Sequence, residues 1–223
     1  LAAGTGMSRT TDGGDFWRWR ERMYAAAAAL TPESYAELAA SVFGEMRDAG
    51  YTTVAEFHYV HHRPDGTPYP DHDMERALAA AARAAGIRLL LLDTCYLRGG
   101  VGRELDEAQR RFGDASAERW LDRWHRLRDA LVSEADAPGV TLGAAVHSVR
   151  AVTPDDLRVI AAGLPSDVPL HVHVSEQPAE NEACVEAYGV TPTGLLFEHG
   201  LLTARTSLVH ATHLTGDDIA LIG

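Results

Sequence analysis

Apolar and polar positions along the chain follow two alternating patterns: short strand-length apolar runs, and longer segments of helical period. Tyr51-Thr-Thr-Val-Ala-Glu-Phe57 is rich in β-branched residues and predicts a strand. Ile87-Arg-Leu-Leu-Leu-Leu92, Val140 to Val146, Pro169 to Val174 and Thr206 to Val209 predict four more. Asp15 to Leu30 carries Phe16, Trp17, Trp19, Met23 and Tyr24 at roughly helical spacing. Thr31-Pro32 opens a second helix, with Thr as N-cap and Pro at the first helical position, and Gly50 stops it. Further helices are predicted over Asp71 to Ala85, closed by Gly86, and over Glu104 to Glu134, where Trp120, Leu121, Trp124, Leu127 and Leu131 form an apolar stripe. Thr153-Pro154 starts a short helix ending near Gly163, Pro178 to Tyr188 forms another, and Thr191-Pro192 and Thr215 begin two more.

Strand and helix thus alternate five times, which predicts a parallel sheet flanked by helices. An open doubly wound sheet and a closed barrel both fit. Polar residues separate them: His58, Asp93, His147, His173 and His210 fall at or just beyond the C-terminal ends of successive strands. A barrel brings those ends to one mouth, where catalytic residues of such folds collect. No GxGxxG or Walker sequence favours the open sheet. The expected fold class is therefore α/β, a (β/α)8 TIM-type barrel with about five central βα units in this chain. At 223 residues the chain is short for a whole barrel of about 250, begins with Leu1 and stops at Gly223 where a helix starts. Residues 1–223 are expected to be the central part of one barrel domain, with its first and last strands lying outside.

Composition narrows the function. The chain is 46% hydrophobic and 23% charged, as for a globular domain with a sizeable core. Its net charge of -12 argues against a nucleic-acid partner, which basic residues would have to hold. An anionic substrate would need a local cationic site set against that field. Cys95 and Cys184 lack CxxC spacing and an adjacent histidine, so a cysteine zinc site and a cysteine nucleophile are both disfavoured. No apolar run reaches transmembrane length and no signal peptide is visible, so a cytoplasmic protein without a membrane partner is expected.

His171-Val-His173-Val-Ser-Glu176 carries the sharpest chemical signal. Residues two apart in a strand share a face, so His171 and His173 should both face the barrel axis while Val172 and Val174 meet the helices. Neutral imidazole is the commonest ligand of a catalytic divalent metal, and Glu176 just past the strand is placed to move protons of a water nearby. Standing alone, the two histidines are equally well read as hydrogen-bonded core residues. His210-Ala-Thr-His213 marks a second strand end, with His210 the candidate for stabilising charge and His213 for local packing. His147-Ser-Val-Arg150 offers a carboxylate clamp through the paired N–H donors of Arg150, although most arginines form surface ion pairs. Glu56-Phe-His58-Tyr59-Val-His61-His62 has a metal-site composition, but His58, His61 and His62 lack a three-ligand geometry on a strand and are expected in loop and lid structure. Tyr59 offers a substrate-binding hydroxyl.

Together these motifs resemble the amidohydrolase superfamily, and more narrowly its N-formimino-L-glutamate iminohydrolases (formimidoylglutamate deiminases). The resemblance rests on Gly50 to His62, His147 to Arg150, His171 to Gln177 and His210 to Leu214. It implies that His173 ligates zinc, that Glu176 is the general acid/base, and that His210 acts on the attacking water or the developing charge. It implies that Tyr59, His147 and Arg150 hold a small formimino amino acid, and a homodimer is the expected assembly. The family's His-x-His metal pair and strand-end aspartate are expected beyond the two ends of this chain. The chain by itself would then hold one zinc ligand of four and is expected to be inactive. The alternatives are a superfamily deaminase acting on guanine or a related heterocycle, which would want amide and aromatic partners rather than Arg150, and a non-catalytic remnant.

Overall fold

The computed structural model describes residues 23–133 and 139–223. Of the first expected helix, residues 23–29 are helical. The part that would carry Phe16, Trp17 and Trp19 lies outside the described residues.

Five strands form one sheet: β1 (Thr53–His58), β2 (Arg88–Cys95), β3 (Val140–Ser148), β4 (Leu170–Val174) and β5 (Thr206–His210). They lie in sequence order, and every neighbouring pair is parallel. Between and around them run α1 (Pro32–Asp48), α2 (Asp73–Ala85), α3 (Ala117–Ser133), α4 (Pro154–Gly163), α5 (Pro178–Tyr188), α6 (Pro192–Glu198) and α7 (Gly216–Ile222). Sequential parallel order with a helical crossover at each step is the winding of a (β/α)8 barrel. No helix among the described residues is long and apolar enough to cross a membrane.

The sheet is curled. Adjacent strands stand roughly 4.8 Å apart, so β1 and β4 would lie about 14 Å apart in a flat sheet. Yet the rings of Phe57 on β1 and His173 on β4 have centroids 4.1 Å apart. The two faces are chemically distinct. Val172 and Val174 are buried in the core against the helices, with Trp120, Trp124, Leu157 and Ile160. His171 and His173, one residue out of phase, take the inner face of the curl as strand alternation requires.

Two expectations change. The helix expected over Glu104 to Glu134 is a 3₁₀ turn (Glu107–Phe112) followed by α3. Between them the chain leaves helical geometry, with Ala115 at a φ of 67°. That detour carries Asp114 into ion pairs with His62 and Arg123. In addition, β2 runs on to Cys95 and β3 to Ser148, so Asp93 and His147 lie within strands.

Caps hold the loops at the strand ends. Thr153 is the N-cap of α4: its Oγ1 accepts from the Asp156 N–H, and its own N–H donates to Asp156 Oδ2 at 2.8 Å. Thr153→Ala should lower stability by about 1 kcal/mol, read as a lower urea midpoint with unchanged slope.

Candidate active site

At the C-terminal ends of β3, β4 and β5 four functional side chains meet on the inner face. The ring of His173, the penultimate residue of β4, stacks beside that of His210, the last residue of β5, with centroids 5.5 Å apart. His210 Nε2 is 3.7 Å from Glu176 Oε1. Arg150, two residues past β3, donates from Nη2 to Glu176 Oε2 at 3.2 Å. Strand alternation alone would not achieve this, because His210 pairs with the outward Val174. The backbone turns there instead: Ser175, His210 and Ala211 have φ of 51°, 69° and 50°. Three non-glycine residues in the left-handed region at adjacent strand ends mark stored strain, which collects at functional sites.

His173 is oriented by a single forced bond. Its Nδ1 lies 2.8 Å from the carbonyl oxygen of His147. A carbonyl only accepts, so Nδ1 carries the hydrogen and Nε2 presents a lone pair. Burial, the largest influence, lowers the His173 pKa, and the carbonyl bond opposes it less strongly, so the ring stays neutral near pH 7. A neutral imidazole with Nδ1–H held by a backbone carbonyl is the usual state of a metal-ligating histidine. His173 Nε2 is therefore available on this face as one ligand of a divalent cation.

His147 itself packs edge-on to Tyr96 and Tyr59, with centroids 4.3 and 5.5 Å away. The Tyr59 hydroxyl donates to Met23 Sδ at 3.7 Å. Six of the residues named from the sequence for chemistry (Tyr59, His147, Arg150, His173, Glu176 and His210) thus belong to one neighbourhood. His213 is apart from it in function: its backbone N–H ties the β5 loop to the Ser175 carbonyl.

The two remaining strand-end residues do not converge with these. His58 and Asp93 pair in register and face the helices, not the inner face. His58, His61 and His62 are buried rather than part of an open lid. The sequence reading also missed their partner, Glu75, in the first turn of α2. Ligand-type atoms of His58, His61 and Glu75 lie within 4.8 Å of one another. Protons and a guanidinium occupy the His61 and Glu75 side of this group, while His58 Nε2 stands 3.3 Å from Glu75 Oε1 without a hydrogen bond among the described residues. His61 Nε2 donates to the Thr94 carbonyl at 2.9 Å, while Nδ1 sits 2.8 Å from Glu75 Oε1 and must donate as well. His61 is therefore an imidazolium. Burial and Arg123 pull its pKa down, but Asp93 and Glu75 outweigh them and raise it. Arg123 Nη1 donates to the same Glu75 oxygen at 3.2 Å and to Asp93 Oδ2 at 2.7 Å. Both cysteines are buried free thiols, and burial pushes Cys184 up to about 12, so neither is a nucleophile.

Comparison with known proteins gives this geometry a context. The amidohydrolase family model matches residues 3–223. A formimidoylglutamate deiminase of Pseudomonas aeruginosa is 42% identical over 207 residues, covering 92% of this chain and 45% of that protein. An 8-oxoguanine deaminase of the same organism is 28% identical over 214 residues, covering 92% and 44%. Among solved structures, an amidohydrolase from Brucella melitensis superposes with a TM-score of 0.88 at 40% identity, covering 99% of this chain and 49% of that one. The chain spans about half the length of the relatives it matches.

Proposed function

The chain belongs to the amidohydrolase family, and on that premise we propose that the full-length protein hydrolyses the formimino C=N group of N-formimino-L-glutamate. The products are N-formyl-L-glutamate and ammonia, a step of histidine breakdown. In this reading residues 1–223 are the central part of one barrel domain.

The observation that carries the reading is the contact of Arg150 with Glu176. It sets a carboxylate-binding cation beside a proton-transfer carboxylate, which suits a substrate with carboxylates at one end and a hydrolysable C=N at the other. His173 would hold zinc through Nε2 together with ligands from outside this chain. When bound, the ion supplies Lewis acidity that lets water attack at neutral pH. Glu176 accepts a proton from the attacking water as its oxygen bonds to the formimino carbon, and delivers it to the imino nitrogen. Glu176 then carries the remaining hydroxyl proton of the tetrahedral carbon to the same nitrogen, the C=O forms as the C–N bond breaks, and the nitrogen leaves as ammonia. His210, 3.7 Å from Glu176, stabilises the charge that builds up in this exchange. Arg150 takes a substrate carboxylate in place of Glu176, freeing Glu176 for its task, and His147 and Tyr59 line the same side.

Arg150→Gln should reduce kcat/KM for formiminoglutamate by about 10–100-fold, mostly through KM, since a hydrogen bond to a charged group is worth about 1.5–3 kcal/mol. The 28% identity to an 8-oxoguanine deaminase favours a second reading, deamination of a heterocycle. Ammonia release from a panel of formiminoglutamate, guanine and 8-oxoguanine separates them. Turnover of formiminoglutamate is expected, and turnover of the purines alone would overturn the proposal.

A further inference from the structure

We infer that Glu180 is a positioning residue that holds Glu176 and Arg150 in place from behind the reacting atoms. The inference rests on the reading above only in the roles it gives those two residues.

Glu180 is the third residue of α5 and is 2% exposed. Its Oε2 accepts the backbone N–H of Glu176 at 3.0 Å. Its Oε1 is buried, has no hydrogen-bond partner among the described residues, and stands 3.7 Å from Arg150 Nε. A buried carboxylate with one oxygen unbonded is costly, and burial does raise the Glu180 pKa. Capping the helix does not by itself require it, because an N-terminal acid stabilises a helix from the surface as well. What the burial achieves is control of two neighbours. The peptide of Glu176 follows Ser175, whose φ of 51° a non-glycine residue keeps only under restraint. The Glu180 bond to that peptide, with the His213 N–H on the Ser175 carbonyl at 3.1 Å, supplies it.

The guanidinium of Arg150 lies between two carboxylates: Nη2 donates to Glu176, while Nε donates to Ser148 Oγ at 3.3 Å and stands 3.7 Å from Glu180 Oε1, a charge contact without a hydrogen bond. A substrate carboxylate that competes for Nη2 releases Glu176, while Glu180 keeps Arg150 from following the substrate. The two glutamates therefore divide the work: Glu176 is exchanged for substrate, and Glu180 is the fixed counter-ion.

Glu180→Gln and Glu180→Ala in the full-length protein test this. Gln keeps an acceptor for the Glu176 N–H but removes the charge facing Arg150, so KM should rise about tenfold or more with kcat within about twofold. Ala removes both, so kcat should also fall by about tenfold or more. Hydrogen exchange at the Glu176 amide should be slow in the parent and the Gln variant and at least about tenfold faster in the Ala variant. That measurement needs no substrate, so it stands even where formiminoglutamate proves to be the wrong one. Parent-like kinetics in both folded variants, or an unchanged Glu176 amide in Glu180→Ala, would overturn the inference.

Discussion

Replacing Glu176 by Gln in the full-length protein should lower kcat by about 10²–10⁴-fold while the bound metal is retained. The amide has the size of the carboxylate and still accepts from Arg150 Nη2, 3.2 Å away in the parent. It cannot take a proton from water and hand it to a leaving nitrogen. Metal retention follows because His173, not Glu176, is the proposed ligand, and the His147 carbonyl orients His173 independently of Glu176. Steady-state ammonia release together with metal analysis of the same preparation reads both halves. A variant with near-parental kcat contradicts the assigned role, and one that loses its metal reassigns Glu176 as a ligand.

The second large effect concerns stability. Arg123→Met should destabilise the fold by about 3–5 kcal/mol, the usual consequence of removing one partner from a buried ion network. Arg123 is 7% exposed and bonds Asp93 through both terminal nitrogens, Asp114 through Nε and Nη2, and Glu75 through Nη1. Without it three buried carboxylates face one another with only histidines to balance them. Denaturant unfolding at pH 7 measures the loss, and a change below about 1 kcal/mol would mean that the network is not held together as its geometry implies.

The same network sets the pH response. Burial acts to raise the Glu75 and Asp114 pKa values, but His58 and His61 at Glu75, and Arg123 at Asp114, hold both carboxyls well below their ordinary range. Their contribution is complete above the ordinary carboxylate values and is lost as the pH falls through the depressed ones. His61 is shifted upward, so its contribution is complete below its ordinary value of 6.5 and is lost as the pH rises through the folded value. The network is therefore most stabilising between the carboxylate range and about pH 6.5.

The parts of the fold and site that were legible in the sequence depended on local rules. β-Branched and leucine runs between capped helices gave the βα alternation, and a period of two set His173 apart from Val172 and Val174. What was not legible depended on which face a strand end presents. His58 follows Phe57 by one residue, and that offset sends Phe57 to His173 and His58 to Tyr35 and Glu75. No periodicity fixes the offset until the register to Asp93 is known. A signal for the outer network was nevertheless present: Arg123 falls on the α3 stripe of Trp120, Trp124 and Leu127, where a charge is buried and must be paired. The inward turn of His210 had no such signal, since it comes from positive φ at His210 and Ala211.

The central claim is that the inner-face group around His173, and not the outer group of His58, His61 and Glu75, is the reaction centre. Anomalous diffraction at the zinc edge from zinc-loaded crystals of the full-length protein separates the two directly. The account predicts a peak about 2.0–2.1 Å from His173 Nε2 and none among His58, His61 and Glu75. A peak at the outer group with none at His173 would contradict it.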